Sequence, residues 1–156
     1  MPSEQQDFDP DILFARPLMA HLATSGAGGA AFGSPVWFLW EEGAFWTIGD
    51  LSSSFLKRLG VQPVCAVTIT EFDAEEGILL HLGLRGRADV LPMDAARFRR
   101  LLARYLGPDP TTWNPWFIDN IAAIDDPDGR LIRIAPDHLV TKNVSYFRTG
   151  PNIIQP

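Results

Sequence analysis

Apolar residues run without interruption through the centre of "GSPVWFLWEEGAFWTIGD", which spans Gly33 to Asp50. A strand with one face in water alternates apolar and polar residues, whereas the five residues from Val36 to Trp40 are all apolar. The two apolar runs flank Glu41-Glu42-Gly43, where an acidic pair and a glycine predict a tight turn. The pattern therefore predicts a β-hairpin that is covered on both faces.

Further strands are predicted on both sides of this hairpin. The segment "ARPLMAHLATSGAGGAAFGSPVWFLW" predicts two strands joined by a glycine turn, and "PVCAVTIT" predicts a β-branched strand over 64–70. A longer strand follows in "GILLHLGLRGRADVL", with Gly83 and Gly86 as expected bulges or points of close backbone approach. The segment "RLIRIAPDHLVTKNVSYF" predicts two final strands around Pro136.

Three helices are predicted between these strands. In "LSSSFLKRLG" the serines offer an N-cap and Gly60 a stop. The strongest helical pattern follows Pro92, with Asp94 as its cap and Gly107-Pro108 at its end. A weaker helix is expected in "TTWNPWFIDNIAAI".

The order of elements predicts a mainly β fold with inserted helices. Six or seven consecutive antiparallel strands favour a small barrel, because closure removes unprotected strand edges. Strands that are apolar on both sides then need helices or a second subunit over the outer face. We expect one domain over residues 1–156, with an N-terminal segment at 1–16 and an extended tail at 149–156.

Composition narrows the functional classes. The chain is 46% hydrophobic and 21% charged, which is typical of a folded globular protein. Its net charge of −6 argues against a nucleic-acid binder, which needs a clustered positive surface. No apolar run approaches the roughly 20 residues that span a bilayer, and the N-terminus is acidic where a signal peptide would be basic. We therefore expect a cytoplasmic protein without membrane or nucleic-acid partners.

The start of the serine-led helix is a candidate anion site. Three hydroxyls, from Ser52, Ser53 and Ser54, precede Lys57 and Arg58, and helix N-termini attract anions through free N–H groups. A serine-capped surface helix with solvated basic residues fits the same pattern. The glycines in "SGAGGAA" predict a hairpin turn rather than a dinucleotide loop, because a strand follows them instead of a helix.

Other chemistry-bearing residues favour structural roles. Three histidines and the single Cys65 lack ligand spacing, so no metal site is expected. The stripe of Arg97, Arg100 and Arg104 predicts a solvated helix face, and "DDPDG" predicts a turn. No residue pair is typical of a general acid–base couple or an activated nucleophile. Redox or transfer chemistry would therefore belong to a bound cofactor.

The ordered set of these segments resembles a known family. The matching parts are "LAT" at Leu22 to Thr24, "SPVWF" at Ser34 to Phe38, the return strand to Thr47, the serine-led helix and "RGRADV" at Arg85 to Val90. This set, spread over 18–90, resembles the pyridoxamine 5′-phosphate oxidase-like, FMN-binding split-barrel family. No single motif in it is specific.

The resemblance implies a homodimer of split β-barrels with a flavin at the subunit interface. It implies an oxidoreductase that passes reducing equivalents from a nicotinamide to a small molecule. The ring of FMN would lie against the backbone of two strands, and its phosphate would lie at the helix start with help from Arg87. The implied cofactor-binding residues are Val36, Trp37, Phe38, Trp46, Thr47, Ile48, Ser52, Ser53, Ser54, Lys57, Arg58 and Arg87. Trp113 or Trp116 is a candidate lid, and packing explains either one as well.

The sequence departs from the family pattern at the implied phosphate site. Ser54 and Phe55 stand where the family carries a basic pair, so the usual lysine is missing. Lys57, Arg58 or Arg87 could replace it, or FMN could bind weakly or be absent. A deazaflavin is open as an alternative cofactor. A non-catalytic protein that binds haem or a flavin in the same cleft is the alternative function.

Overall fold

The computed structural model describes residues 6–121 and 126–146, with the side chains of residues 120 and 121 outside that description. The predicted tail at 149–156 and the start of the predicted N-terminal segment lie outside the described residues. The strands are β1 (Ala20–Ser25), β2 (Ala31–Val36), β3 (Leu39–Glu41), β4 (Ala44–Asp50), β5 (Val64–Asp73), β6 (Ile78–Pro92) and β7 (Gly129–Asn143). The helices are α1 (Asp11–Phe14), α2 (Ser54–Val61), α3 (Ala95–Leu106) and α4 (Pro115–Ile121). The predicted mainly β fold with inserted helices is confirmed.

A single antiparallel sheet closes on itself to form a barrel. Its strand order is β2-β1-β5-β6-β7-β4-β3, so β2 and β3 stand at opposite edges. Trp37 and Phe38 alone separate these two strands in the sequence, which limits the Cα distance from Val36 to Leu39 to about 11 Å. The sheet must therefore curl until its two edges meet at this dipeptide.

The uninterrupted apolar run thus belongs to two strands rather than one. Up to Val36 the chain pairs with β1, and from Leu39 it pairs with β4. The single strand that the sequence predicts through this run is wrong, because the backbone changes partner at Trp37 and Phe38. The predicted turn is confirmed: Glu42 and Gly43 have φ of 56° and 67° between β3 and β4. Two residues at positive φ are typical of the hairpin turns that match strand twist.

Both faces of β4 are buried, as the pattern predicts. Phe45 lies inside the barrel at 0% exposure, packed with Phe38 at a ring-centroid distance of 5.3 Å. Trp46 points the other way and packs with Leu101 of α3 in a second apolar cluster. The guanidinium carbon of Arg97 lies 3.5 Å from the centre of the Trp46 ring. A helix of the same chain therefore covers the outer face of this strand.

The long strands β6 and β7 pair along nearly their whole length, with one bulge. Arg85 pairs with His138 and Gly86 with Pro136, so Asp137 is the extra residue of β7. The two final strands predicted around Pro136 are therefore one strand, and a bulge accommodates a proline that cannot donate to the ladder. The close backbone approach expected at Gly86 is confirmed, because a Cβ there would lie 2.6 Å from the carbonyl oxygen of Ala135, whereas Gly83 is regularly paired and has only ordinary contacts.

Helices α2, α3 and α4 lie where helices are predicted, although α4 begins only at Pro115 and the ends of α2 differ, whereas the short α1 was not predicted. Asp94 caps α3 by accepting hydrogen bonds from the N–H groups of Ala96 and Arg97, and Gly107 follows the helix. In contrast, the Ser53 side chain does not cap α2, because it accepts the Asp50 N–H instead. Helix α2 also continues through Gly60 to Val61, so the predicted stop is one residue early.

The arginine stripe on α3 is only partly solvated, which corrects the sequence-based interpretation: the Arg97 side chain is 11% exposed and that of Arg100 is 51% exposed. Arg97 and Arg100 donate to the carboxylate of Glu41, at 2.6 and 2.7 Å. Arg104 donates to the carbonyl oxygens of Phe14 and Arg16. These partners are remote in sequence, so α3 is fastened to the β3–β4 hairpin and to the end of α1.

The helices of the described ranges are too short or too polar to cross a bilayer.

Candidate functional site

A cavity of about 380 Å³ lies outside the barrel wall, next to the dipeptide that joins the two sheet edges. It is bounded by the end of β2, the second half of β4, the start of α2, helix α3 and the segment that leads into β7. The lining residues are Pro35, Val36, Trp37, Thr47, Ile48, Gly49, Asp50, Ser53, Phe55, Met93, Phe98, Asp126 and Gly129. Its size lies in the range of small-molecule sites.

The walls of the cavity are mainly aromatic and aliphatic. Trp37 forms one side of the cavity. Phe98, a largely buried residue of α3, forms part of the wall on the helix side. Phe55 from the first turn of α2 lies over Gly49, where a Cβ would be 3.2 Å from the Phe55 ring. Apolar walls and exposed strand backbone suit a flat ring that needs a few fixed hydrogen bonds.

Trp37 is held by a stack of aromatic rings. Its ring lies 4.6 Å from that of Tyr105 with an interplanar angle of 6°, and 5.8 Å from that of Phe117. The Tyr105 hydroxyl accepts the Phe38 N–H at 3.0 Å and donates to the Leu18 carbonyl at 2.7 Å. Burial raises the pKa of this hydroxyl. The stack therefore fixes the orientation of the Trp37 ring at the cavity.

The predicted ring-binding residues divide between the cavity and the core. Val36, Trp37, Thr47 and Ile48 line the cavity together. Phe38 is buried inside the barrel, and Trp46 is buried under α3. The side chains of these two do not line it, because Phe38 packs against the barrel core and Trp46 packs beneath α3. Whether any of these residues binds a ligand stays a prediction.

The predicted phosphate-binding residues are more scattered. Ser53 lines the cavity, and the exposed Ser52, Ser54 and Lys57 surround the same helix start. Arg58 points elsewhere: its Nε donates to Thr24 Oγ1 at 2.7 Å, and its guanidinium lies over the Phe32 ring at 4.2 Å.

Arg87, the last of the predicted phosphate residues, is exposed on β6, paired with Val64 and Ala135, and does not line the cavity. The structure therefore brings together the serines and Lys57 but not the two arginines.

Asp50 is an acidic residue whose carboxylate is bonded to the first residues of this helix start. Its carboxylate accepts hydrogen bonds from the Ser52 hydroxyl and from the Ser52 N–H, the latter at 2.7 Å. These bonds, hydroxyl first, lower the pKa of Asp50, and the charge of Lys57 lowers it further. Asp50 is therefore ionised at neutral pH.

Several cavity residues have no counterpart in the sequence-based prediction. Asp50, Phe55, Met93, Phe98 and Asp126 all line the cavity. Asp50 lies two residues before Ser52, so its position was a readable signal. The last three come from remote segments, and only the tertiary fold brings them to the site. Of the two candidate lid residues, Trp113 donates a hydrogen bond to the Gly107 carbonyl and Trp116 is exposed. The residue of α4 whose ring stacks on Trp37 is Phe117, which the sequence did not suggest.

Comparison with solved structures finds the same fold at low sequence identity. An F420 reductase superposes with a TM-score of 0.65 at 22% identity, covering 88% of this chain and 97% of that chain. HutZ, the haem storage protein from Vibrio cholerae, gives a TM-score of 0.67 at 18% identity over 88% and 95% of the two chains. A putative pyridoxamine 5′-phosphate oxidase from Listeria innocua gives 0.60 at 15% identity over 85% and 93%.

The chain has the split-barrel fold. The resemblance inferred from the ordered sequence segments is thereby confirmed at the level of the fold. No family model and no curated protein matches the sequence.

Proposed function

We propose that the protein is an oxidoreductase that binds a flavin or deazaflavin ring in the cavity beside Trp37. Reducing equivalents would pass from a nicotinamide to a small molecule. The active form would be a homodimer in which residues 1–156 of each chain form one domain. The observation that carries the proposal is the cavity itself, where aromatic walls and strand backbone converge at the junction of the two sheet edges.

The residues present fit a flat ring. Val36 and Ile48 offer aliphatic surface, and the stacked Trp37 ring offers a rigid aromatic edge. Gly49, which is partly exposed and has no side chain, lies in the wall next to Ile48, where its backbone can bond to ring heteroatoms. A bound flavin-type ring would supply the two-electron redox chemistry. The protein would hold the ring, orient it and exclude water from one of its faces.

The phosphate of FMN fits this site less well than the ring does. Phe55 stands at the cavity wall where a basic residue would pair with the phosphate, and Asp50 and Asp126 line the same cavity. Lys57 is a basic residue close enough to Asp50 for its charge to lower the pKa of that carboxyl. The proposal therefore rests on recognition of the ring rather than of the phosphate.

Haem binding without redox turnover is the second candidate. The structural likeness to the haem storage protein favours it, at a TM-score of 0.67. Among the described residues that line the cavity, the side chain with a soft metal-binding atom is Met93, and neither histidine nor cysteine is present there. Haem iron in proteins is usually held by histidine, cysteine, methionine or tyrosine. The lining therefore offers haem iron one candidate ligand, whereas it offers a flavin ring several apolar contacts.

The absorption spectrum of the purified full chain separates these functions. After incubation with a flavin and removal of the excess, we expect flavin bands that bleach when NADPH is added without oxygen. A Soret band after incubation with haem, and no retained flavin, would support the haem-binding candidate instead. A chain that retains neither chromophore would contradict both proposals.

A further inference from the structure

The lining of the cavity beside Trp37 is acidic. Asp50 and Asp126 line it, and no lysine, arginine or histidine is found among the described residues of its lining. The Asp126 carboxylate is turned into its own loop, where it accepts the Asp128 N–H at 2.9 Å. Aromatic and apolar side chains make up most of the remaining wall. An anion placed in this cavity would meet two like charges that are accessible to solvent, so that the repulsion is modest and screened by salt.

Two arginines close in sequence to the cavity are bonded to protein oxygens, and for Arg130 one of these belongs to the cavity-lining Gly129. Arg58 is bonded to Thr24 and stacked on Phe32, on the side of α2 that faces β1. Arg130 donates to the carbonyl oxygens of Pro127 and Gly129, at 2.7 and 2.8 Å. Lys57 is exposed, and its charge acts on Asp50. Arg58 is therefore turned away from this helix start, and Lys57 is the exposed basic residue beside it.

The hydroxyl groups of the helix start are also turned toward Asp50. The Ser52 hydroxyl donates to the Asp50 carboxylate, and the Ser53 hydroxyl oxygen accepts the Asp50 N–H at 3.1 Å. Phe55, in the first turn of α2, presents an aromatic ring to the cavity and no hydrogen-bond donor for a phosphate. The Ser52 hydroxyl, which could donate to a phosphate, is therefore used by the Asp50 carboxylate, while Ser53 accepts from the Asp50 backbone.

We infer that the cavity selects a flat ring with an uncharged tail over the same ring with a phosphate tail. This inference rests on the proposed function and names the ligand class of the same site. Riboflavin and FMN provide a matched pair of probes, because they share the ring and the ribityl chain and differ by one phosphate. That phosphate carries a charge of about −1.5 to −2 at pH 7.

Equilibrium titration of the full chain with both probes, at low and at high salt, tests the inference. We expect riboflavin to bind at least as tightly as FMN. We also expect FMN affinity to rise with salt, because added ions screen its repulsion from Asp50 and Asp126, while riboflavin affinity stays constant. The sign of the salt effect is decisive, since a phosphate held by cations would dissociate as salt is added.

The variant Asp50→Asn isolates the charge, because asparagine keeps an oxygen that accepts the Ser52 N–H. It should tighten FMN binding about two- to fivefold and leave riboflavin binding unchanged. Asp137→Asn is the matched control, since it makes the same change in net charge on an exposed residue at the bulge of β7. Asp126→Asn is a second test at the cavity in case Asp50→Asn lowers stability.

Three outcomes separate this inference from the proposed function. Binding of riboflavin that equals or exceeds that of FMN, with the expected salt effect, supports both. FMN binding tenfold tighter than riboflavin and weakened by salt overturns the inference alone, and would indicate a cation supplied by a second copy of the chain. Absence of binding by either probe overturns the proposed function and this inference with it.

Discussion

The hydroxyl of Thr47 donates a hydrogen bond of 2.6 Å to the carbonyl oxygen of Trp37. Thr47 is in the middle of β4 and is 0% exposed, whereas Trp37 belongs to the two-residue link between the sheet edges. This bond therefore ties the link to the strand beside it, at the wall of the cavity. It holds the backbone on which the proposed ring site is built.

Replacing Thr47 with valine should destabilise the protein by about 1–3 kcal/mol. Valine keeps the shape of the side chain but leaves the buried Trp37 carbonyl without its donor. Urea unfolding monitored by tryptophan fluorescence measures the change. Thr68→Val is the matched control, since Thr68 is partly exposed on β5, and it should change the free energy of unfolding by less than about 0.5 kcal/mol. Equal losses in the two variants would show that the Thr47 bond is unimportant.

The two glycines of β6 should differ sharply in their tolerance of alanine. A Cβ on Gly86 would lie 2.6 Å from the backbone oxygen of Ala135, whereas one on Gly83 would lie 3.5 Å from the nearest His81 atom, an ordinary contact. Gly86→Ala should therefore cost about 1–3 kcal/mol or more, because backbone must shift to relieve the clash. Gly83→Ala should be nearly neutral. Thermal melting compares them, and a neutral Gly86→Ala would mean that β6 and β7 are less closely paired.

Cys65 should make the protein less stable as the pH rises from 9 to 11. Burial raises the pKa of its thiol to about 11, from 9.0 in the unfolded chain, so the unfolded state releases its proton first. Stability is then fully present below pH 9 and falls through this window, by at most about 1.4 kcal/mol for each pH unit.

Cys65→Ala removes this part of the pH dependence, and urea unfolding at pH 8, 9 and 10 measures it. Tyr105 also has a raised pKa, but it is present in both proteins and cancels in the comparison. Parallel pH profiles for the wild type and the variant would contradict the assigned cause.

A basic residue at position 55 should change which flavin the cavity prefers. Phe55→Lys places an ammonium group at the first turn of α2, beside a phosphate bound at the helix start, and should raise FMN affinity relative to riboflavin about tenfold or more. Phe55→Leu is the control, because it removes the ring without adding charge. The ratio of the two dissociation constants is the measurement. If both variants shift that ratio equally, the phosphate does not lie near position 55.

Local sequence signals predicted the elements whose determinants are close in the chain. The turn at Glu42 and Gly43 needs only two residues with positive φ, and the cap of α3 needs only Asp94 and the N–H groups that follow it. The barrel class followed from the number and order of apolar segments. The likeness to split-barrel structures confirms that step.

Features that depend on remote partners could not be predicted in the same way. An apolar run through Trp37 and Phe38 looks like one strand, and only the pairing with β1 and β4 divides it. The arginines of α3 looked solvated because Glu41 is more than 50 residues away from them. The cavity brings Trp37 together with Phe98 and Asp126, which belong to distant segments of the sequence. The hydrophobic pattern within each segment does not show that they meet.

Titration of riboflavin fluorescence with the purified full chain tests the central claim most directly. Stacking near Trp37 should quench the flavin in a saturable manner, with a dissociation constant below about 1 mM. Ile48→Phe adds volume at the cavity wall and should abolish that quenching, whereas Ile78→Phe, at the exposed start of β6, should not. Saturable quenching that only Ile48→Phe removes is the expected result. Absence of quenching, or equal quenching by all three proteins, would contradict a ring site in this cavity.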